Sequence, residues 1–264
     1  MNITNRTVWI TGASSGIGEA LAYAMSERGA RLILSARRAD ELRAVRDHCA
    51  QPDRHHVVPL DLTDRSTLDA AVSDVLDDIG PVDLMVHNGG ISQRSVVSET
   101  DLSVDRRIME VNYFGAVTLT KLLLPSMLER GRGHFLVVSS LVGKFGTAKR
   151  SAYAASKHAL HGFFDSLRAE VYDDGLRVTL FCPGFVKTNI GHNALTADGS
   201  AIQENVEDVK EVGMPAETCA EAMIDAVEKE KDEVYYGGWE RMGVYAKRLS
   251  PTLFNAVIRR METT

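Results

Sequence analysis

Short runs of apolar and β-branched residues alternate along the chain with longer segments whose apolar positions recur at helical spacing. Seven such runs are predicted strands: TVWIT, RLILSA, HHVVPLDL, VDLMVHN, HFLVVSS, RVTLFCP and EVYYGG. Helices are predicted between them at about 17–28, 38–49, 64–78, 101–129, 151–173 and 215–230, with Gly29 and Gly175 as C-terminal stops. Because strands and helices alternate and the strands are apolar on both sides, the pattern predicts an α/β fold with a doubly wound, parallel seven-stranded sheet.

Two segments interrupt this alternation. Residues 189–213 are polar, weakly periodic and too long for an ordinary connection, so we interpret them as a substrate lid. Residues 239–264 follow the last predicted strand as a C-terminal extension, with apolar positions at roughly helical spacing that break near Pro251. No repeat, low-complexity tract or Pro/Ser-rich linker marks a boundary, so residues 1–264 are predicted to form a single domain.

Composition and charge argue against several classes of protein. A net charge of −6 over 264 residues leaves no dominant basic surface and argues against a nucleic-acid partner. The three cysteines, Cys49, Cys182 and Cys219, are too few and too scattered for a disulfide framework or a spaced metal site, so no metal is expected. The first residues lack the pattern of an export signal, and no stretch is long enough to cross a bilayer. We therefore expect a cytoplasmic protein without stable membrane insertion.

The segment TGASSGIG, residues 11–18, is a glycine-rich turn between a predicted strand and a predicted helix. Small residues at Gly12, Gly16 and Gly18 allow a tight turn and a close approach of the backbone to a pyrophosphate, and the first amides of the helix favour an anion. A turn of this type is also compatible with a purely structural role. Its function therefore depends on other residues of the chain.

Three side chains supply candidate chemistry. Tyr153 and Lys157 lie one helical turn apart in SAYAASKHAL, so both project from one face of the predicted helix. A neighbouring ammonium stabilises a phenolate and moves the pKa of a tyrosine toward neutral pH. Ser140 ends the predicted strand HFLVVSS, where parallel sheets present functional side chains. A tyrosine and lysine at this spacing also occur by chance on amphipathic helices, but their coincidence with Ser140 and the glycine-rich turn favours a catalytic site.

A set of motifs resembles the short-chain dehydrogenase/reductases in order and spacing, from about residue 5 to residue 238. The motifs are TGASSGIG, Asn112 in EVNYFG, Ser140 in VVSSLVG, Tyr153-Ala-Ala-Ser-Lys157, and Pro183-Gly184 in CPGFVKT. The resemblance implies a Rossmann-type fold and an NAD(P)-dependent oxidoreductase. It assigns Tyr153 as the general acid/base and Ser140 as the group that polarises the substrate oxygen. Lys157 would lower the pKa of Tyr153 and hold the nicotinamide ribose, and the main chain at Asn112 would anchor a water of the proton relay.

The same resemblance implies the cofactor contacts. In the family, Asp61 of PLDL would contact the adenine, Asn88 would line the cleft, and Val186 and Thr188 would hold the carboxamide. The full set of implied cofactor positions is Gly12, Ser14, Ser15, Gly16, Ile17, Gly18, Arg37, Arg38, Asp61, Leu62, Asn88, Gly89, Tyr153, Lys157, Pro183, Gly184, Val186 and Thr188.

One position departs from the family pattern. Where the family usually has Asn-Asn-Ala-Gly, this chain has His87-Asn88-Gly89-Gly90. We interpret His87 as replacing the first asparagine in holding backbone, rather than as a catalytic or metal-binding group. The stretch HNGGISQRS is similar to vertebrate reductases active on steroids and retinoids, and the tail LSPTLFNAVIRR is similar to bacterial members near them.

Charge at the end of the second predicted strand bears on cofactor choice. An NAD enzyme places a carboxylate there to bind the ribose 2′-hydroxyl, whereas this chain has Ala36 followed by Arg37 and Arg38. An arginine fork suits a 2′-phosphate. The alternative is that both arginines are solvated charges that open the next helix. We expect NADP(H) in preference to NAD(H).

The expected reaction is the reduction of a ketone or aldehyde to an alcohol, or its reverse. The pocket walls are predicted to come from Leu141, Val142, Phe145, Phe185, residues 91–97 and the lid, a largely apolar set that favours a lipophilic carbonyl compound. A 3-oxoacyl thioester reductase and an NAD-dependent alcohol or sugar dehydrogenase are alternative enzymes. A dinucleotide-sensing binding protein is the alternative that is not an enzyme.

The extension at 239–264 bears on assembly. It could pack on its own domain, form a subunit contact, or bind weakly to an anionic membrane surface through its apolar and basic residues. We expect a homodimer or homotetramer in which the extension is buried rather than bound to lipid.

Overall fold

The computed structural model describes residues 1–202 and 213–260 and has a seven-stranded parallel sheet at its centre. The strand order is β3-β2-β1-β4-β5-β6-β7, and every neighbouring pair is parallel. The predicted doubly wound α/β sheet is therefore confirmed. The strands are β1 Thr7–Thr11, β2 Arg31–Ser35, β3 His56–Val57, β4 Leu84–His87, β5 Gly133–Val138, β6 Leu176–Pro183 and β7 Glu233–Tyr236.

Helices connect the strands and follow the predicted segments closely. Gly29 and Gly175 have φ values of 80° and 81°, the left-handed conformation expected of helix stops. The predicted helix at 101–129 is divided by a π turn, Glu110–Phe114. The helices are α1 Gly16–Glu27, α2 Ala39–His48, α3 Arg65–Asp74, α4 Leu102–Met109, α5 Gly115–Glu129, α6 Ser151–Val171, α7 Ala216–Glu228, α8 Met242–Leu249 and α9 Pro251–Ile258.

Two apolar layers cover the faces of the sheet. On one face, Leu21 of α1 packs in a buried cluster with Met223 of α7. On the other face, Leu119 of α5 and Phe164 of α6 pack in a cluster with Trp9 of β1. Because both faces are covered, the central strands carry apolar residues on both sides, which is why they appear in the sequence as continuous apolar runs.

The strand order reverses between β1 and β4, and this position determines where the site lies. The chain passes from β1 outward to β2 and β3, then returns to β4 on the other side of β1. In open α/β sheets, ligands bind in the crevice outside the carboxyl ends of the strands at such a reversal. The glycine-rich turn after β1 and residues 88–90 after β4 both lie there.

The predicted lid is described over residues 189–202 and at residue 213, and residues 203–212 lie outside the described part of the chain. The described part pairs with the segment that follows β4. Leu195 N donates to Ser92 O at 2.9 Å, and Leu195 O accepts from Arg94 N at 2.9 Å. Leu195 also forms a bridge with Ala201. The segment therefore borders the carboxyl edge of the sheet, where a substrate lid is expected.

The C-terminal extension forms two short helices, α8 and α9, with a break at Ser250 before Pro251 as expected from the sequence. Val244 and Phe254 are buried, and the Phe254 ring lies 5.2 Å from the Phe145 ring. Part of the extension thus packs on its own domain beside the segment after β5. Within residues 1–202 and 213–260, no helix has the length and apolarity needed to span a membrane.

Candidate active site

Tyr153 and Lys157 lie on the same face of α6, and both are buried at the carboxyl end of β5. The Lys157 Nζ donates a hydrogen bond to the carbonyl of Val138, the last residue of β5, at 2.8 Å. The same Nζ lies 5.7 Å from the centre of the Tyr153 ring. The helical spacing in the sequence thus places a phenol and an ammonium side by side at the edge of the sheet.

Ser140 reaches this pair from β5. It caps a short 3-10 turn, Leu141–Gly143, and its Oγ accepts from Val142 N at 3.4 Å. Ser140 Oγ also donates to Pro183 O at 3.5 Å, and the Ser140 side chain lies close enough to the Tyr153 hydroxyl to lower the pKa of that phenol. The structure therefore brings Ser140, Tyr153 and Lys157 together, although they belong to two different elements.

Burial and nearby charges act on these groups in opposite directions. Burial raises the pKa of Tyr153, while the charges of Arg150 and Arg94 and the hydrogen bond with Ser140 lower it. Burial lowers the pKa of Lys157 to about 8. Arg94 lies in the predicted pocket wall at residues 91–97, whereas Arg150 was not among the predicted site residues. The expected effect of Lys157 on the pKa of Tyr153 stays a prediction.

Asn112 lies in the π turn between α4 and α5, and its side chain is fully engaged. Its Oδ1 accepts from Ile91 N at 2.8 Å, and its Nδ2 donates to Ile91 O and to Ser156 Oγ, both at 3.0 Å. The amide therefore holds the loop after β4 against α6. Because the side chain of Asn112 is engaged in these contacts, its main chain is the part suited to bind the water that the resemblance implies.

The glycine-rich turn after β1 is tightly packed by backbone. Gly12 and Gly16 have φ values of 64° and 60°, which favour glycine. A Cβ atom on Gly12 would lie 2.8 Å from the Cα of Gly89, and one on Gly18 would collide with the Gly12 carbonyl. Asn88 Nδ2 donates to the carbonyls of Thr11 and Gly12 at 3.0 and 3.1 Å, so it shapes the turn that it was predicted to line.

Two further predicted cofactor positions, Thr188 and Leu62, lie against glycines at this site. A Cβ on Gly16 would lie 3.0 Å from Thr188 Cγ2, and one on Gly89 would lie 2.7 Å from Leu62 Cδ1. A narrow cleft beside them is lined by Thr11, Leu62, Gly89, Asn112 and Lys157, among others. The structure thus gathers segments that are distant in the sequence: Ser14, Ser15 and Ile17 at the start of α1, Asp61 and Leu62 after β3, and Pro183, Gly184, Val186 and Thr188 at the end of β6 and beyond it.

The two arginines after β2 differ from each other. Arg37 is exposed, whereas Arg38 forms an ion pair with Glu41 of α2, with 2.6 Å between Nη2 and Oε2. Asp61 uses its Oδ1 to accept from the amide and hydroxyl of Thr63 at 2.9 and 2.8 Å. Of the predicted arginine fork, Arg37 is therefore the member whose charge is better placed for a ligand.

His87 is buried, and it is also one of the residues that line this cleft. Its Nε2 lies 2.8 Å from Thr120 Oγ1 of α5, and its ring stacks on Phe135 at 5°. Burial lowers its pKa to about 3, so the ring is neutral at physiological pH. Sequence analysis expected His87 to hold backbone, and in the structure its partner is a side-chain hydroxyl.

A second polar cluster behind the site was missed by sequence analysis. His161, Cys182 and Glu233 each contribute one atom of a kind that can bind a metal ion, and these three atoms lie within 4.8 Å of one another. Lys144 Nζ lies 2.6 Å from Glu233 Oε1. Burial favours a raised pKa for Glu233, but its contacts with His161 and Lys144 outweigh burial and lower that pKa to about 2. The ammonium of Lys144 thus neutralises this carboxylate. The members come from separate elements, so no spacing in the sequence could reveal them.

Comparison with known proteins agrees with this arrangement. Residues 6–199 match the model of a family described as short chain dehydrogenase. The chain is similar to the mouse protein named dehydrogenase/reductase SDR family member 7B, at 42% identity over 96% of this chain and 80% of the mouse protein. It is 41% identical to the human dehydrogenase/reductase SDR family member 7, over 88% of this chain and 70% of that protein.

Solved structures show the same fold. A short-chain dehydrogenase from Streptomyces avermitilis superposes with a TM-score of 0.81 at 30% identity, covering 98% of this chain and 100% of that one. A short-chain dehydrogenase from Burkholderia cenocepacia, solved in complex with NADP, gives a TM-score of 0.82 at 24% identity, covering 98% and 99% of the two chains. The resemblance drawn from the sequence motifs is confirmed.

The burial of His87 predicts how stability depends on pH. The pKa of His87 is lowered to about 3 in the folded chain, whereas an unfolded histidine has a pKa of about 6.5. Between these two pH values, the unfolded chain binds a proton at His87 that the folded chain does not bind. Stability therefore falls as the pH drops from about 6.5 toward 3. Replacing His87→Asn should shrink the loss of unfolding free energy between pH 7 and pH 5 by about 2 kcal/mol.

Urea denaturation of the wild type and the variant at both pH values measures this difference. The matched control is His48→Asn on the exposed surface of α2, which should leave the pH dependence as in the wild type. A His87→Asn variant that loses as much stability as the wild type between the two pH values would show that His87 is not held neutral by burial.

Proposed function

We propose, from the premise that this chain belongs to the short-chain dehydrogenase family, that it interconverts a ketone or aldehyde and the corresponding alcohol with NADP(H). The family makes the chain an oxidoreductase. The observation that carries the proposal is the meeting of Ser140, Tyr153 and Lys157 at the carboxyl edge of the sheet, beside the glycine-rich turn.

Each of the three catalytic residues has a separate role in the proposed reaction. A bound nicotinamide dinucleotide supplies the hydride that the carbonyl carbon accepts in reduction. Tyr153 Oη donates a proton to the carbonyl oxygen, and the Ser140 hydroxyl donates a hydrogen bond that stabilises the charge developing on that oxygen. The oxidation of an alcohol uses the same two groups in reverse. Lys157 is held by Val138 O at a distance from which its charge acts on the Tyr153 ring.

The residues present fit a dinucleotide. Gly12, Gly16 and Gly89 let the turn after β1 and the neighbouring segments pack closely, because a Cβ at these positions would lie 2.8, 3.0 and 2.7 Å from a neighbouring atom. The Ser15 side chain makes no cap hydrogen bond to the start of α1, so the first amides of that helix are available to a pyrophosphate. We propose that the predicted cofactor positions bind there, with Arg37 toward a 2′-phosphate.

Three alternatives remain from the sequence. A thioester reductase or an NAD-dependent dehydrogenase would use the same three catalytic groups, and the carboxylate that NAD would favour at position 36 is an alanine here. A dinucleotide-sensing protein without chemistry would have no need of a buried Tyr153 and Lys157, whose burial is costly. An apolar wall from Leu141, Val142 and Phe145, all buried beside Tyr153, favours a carbonyl compound with a lipophilic part.

We also propose that the chain forms at least a homodimer. The packed side of the C-terminal extension buries Val244 and Phe254, but Trp239, Leu249 and Leu253 are 75%, 85% and 65% exposed. Exposed apolar side chains of this size favour a further contact, and a second copy of the chain is the partner we expect. Cytoplasmic location stays a prediction.

Removal of the Tyr153 hydroxyl tests the chemistry. Tyr153→Phe should lower kcat by about 10² to 10⁴, the usual contribution of a general acid/base, while cofactor binding stays nearly unchanged. The control is Tyr172→Phe, which removes a hydroxyl from an exposed tyrosine at the end of α6. Rates of cofactor oxidation with a carbonyl substrate measure both. More than half of the wild-type kcat in Tyr153→Phe would contradict the assignment.

The proposed cofactor preference predicts a difference between neighbouring arginines. Arg37→Ala should weaken NADPH binding by roughly 1.5–3 kcal/mol, the range for hydrogen bonds to charged groups, and leave NADH binding nearly unchanged. Arg38→Ala should have a smaller effect because Arg38 is already paired with Glu41. Cofactor titrations followed by fluorescence measure the four affinities. Equal losses for NADPH and NADH in Arg37→Ala would show that Arg37 does not contact the phosphate.

The assembly proposal predicts the mass in solution. Light scattering of the full chain should give a dimer or a larger closed assembly, and a monomer would contradict the proposal. Sedimentation with anionic vesicles, compared between the full chain and a version that ends at Gly238, tests the membrane alternative. We expect neither protein to pellet with vesicles, and pelleting of the full chain alone would show that the extension binds lipid.

A further inference from the structure

Lys144, His161 and Glu233 form a polar cluster beside the turn that carries Ser140, and we call these three residues the Glu233 clamp. Glu233, on β7, is its centre, because Oε1 of this carboxylate lies 2.6 Å from Lys144 Nζ and 3.2 Å from His161 Nδ1. The contact with His161 is close but lacks the alignment of a hydrogen bond, so the ion pair with Lys144 is the stronger of the two. His161 is buried, and the side chains of Lys144 and Glu233 are only 23% and 27% exposed.

The clamp holds the Ser140 turn from both sides. Lys144 directly follows the 3-10 turn that Ser140 caps, and its amide donates to the Leu141 carbonyl at 3.0 Å. Ser139 directly precedes Ser140, and its Oγ lies 3.0 Å from His161 Nε2. A shift of either end of the turn therefore requires the contacts of the clamp to change.

The clamp is also tied to the helix that carries the tyrosine. His161 lies two helical turns after Tyr153 and one turn after Lys157, on the same buried stripe of α6. The Ser139 Oγ lies 3.4 Å from the Lys157 carbonyl as well. Through these contacts, the turn after β5, helix α6 and strand β7 are held at fixed positions relative to one another.

Ser140 needs such support because its own side-chain contacts are weak. Its Oγ accepts from Val142 N at 3.4 Å and donates to Pro183 O at 3.5 Å, both at the long limit of a hydrogen bond. These contacts leave the hydroxyl free to turn toward a substrate. The position of the hydroxyl therefore depends on the backbone of the turn, which the clamp holds.

Other roles for this cluster fit its geometry less well. The His161 ring directs Nδ1 toward Glu233 and Nε2 toward Cys182 Sγ, 3.6 Å away, so the three side chains do not surround one point as metal ligands do. The Lys144 ammonium also occupies the carboxylate oxygen that a metal ion would need. Burial raises the pKa of the Cys182 thiol to about 12, so this thiol is neutral and a poor nucleophile.

We propose, on the basis of the proposed function, that the Glu233 clamp is a positioning device for catalysis. It holds the Ser140 hydroxyl where that hydroxyl and the Tyr153 hydroxyl contact the same carbonyl oxygen. Contacts with ionised groups are directional and fix a position more narrowly than apolar packing does. A hydrogen-bond donor stabilises the charge that develops on the substrate oxygen only when it is already in place.

Loss of the clamp should lower turnover while the cofactor site stays intact. Glu233→Gln and Lys144→Met each remove the ion pair and should lower kcat by about 10-fold or more, since small displacements of a catalytic group are costly. The dissociation constant for NADPH should change by less than about 2-fold in both. Lys144→Arg keeps a cation beside Glu233 and should retain more than about half of the wild-type kcat.

The matched control is Lys229→Met, which removes an ammonium from an exposed ion pair with Asp225 of α7. This variant should keep the wild-type kcat. Comparison with it separates the loss of the clamp from the loss of any lysine that forms an ion pair.

A double-mutant cycle with Ser140→Ala separates positioning from a general loss of structure. Transfer of deuterium from labelled NADPH to a carbonyl compound is the assay, because accumulated product reveals the slow turnover expected without Ser140. If the clamp acts through Ser140, Glu233→Gln should cost less than about 2-fold when residue 140 is already alanine. Lys144→Met replaces Glu233→Gln in the cycle if the latter does not fold.

The outcomes distinguish this inference from the function on which it rests. Equal fold losses in the two backgrounds, or full kcat in both Glu233→Gln and Lys144→Met, would overturn the inference and leave the proposed function standing. A wild type that transfers no deuterium to any carbonyl compound would contradict the proposed function, and the inference would fall with it.

Discussion

The hydrogen bond between the Lys157 ammonium and the Val138 carbonyl is the contact on which the rest of the site depends. It joins α6 to the end of β5, beside the tyrosine of the helix and the serine that follows the strand. The ammonium is almost fully buried, and its pKa is lowered to about 8, so its position is costly and is maintained by this frame. Tyr153 lies one helical turn before it, and Ser140 follows Val138 closely in the chain.

A second layer of contacts holds this frame in register with the glycine-rich turn. The Asn112 side chain connects the segment after β4 to Ser156 of α6. Asn88 connects the same segment to the turn after β1. The strands that follow β1 lie on one side of it and β4 to β7 lie on the other. These two amides therefore join the part of the sheet edge that carries Tyr153 and Lys157 to the part that carries the glycines. The positions of the site residues therefore depend on contacts between several strands and helices, and not on one loop.

Much of this could be predicted from the sequence, because the signals were local. Apolar periodicity identified the strands and helices, the spacing of Tyr153 and Lys157 put them on one helical face, and the motifs identified the family. The groups that were missed depend on distant contacts. Arg150 acts on the pKa of Tyr153 from the start of α6, and His161, Cys182 and Glu233 converge from three elements. The ion pair between Arg38 and Glu41 is different, because it joins residues only three positions apart and its spacing was present in the sequence.

Deuterium transfer tests the central claim most directly, because it detects the chemistry rather than binding. The purified chain would be incubated with NADPH or NADH deuterated at the reactive carbon of the nicotinamide, together with a panel of carbonyl compounds, and the products analysed by mass spectrometry. The account predicts an alcohol that carries one deuterium on the former carbonyl carbon, from one face of the cofactor only. A chain that binds the cofactor but transfers no deuterium to any compound of the panel would contradict the account and favour a dinucleotide-sensing protein.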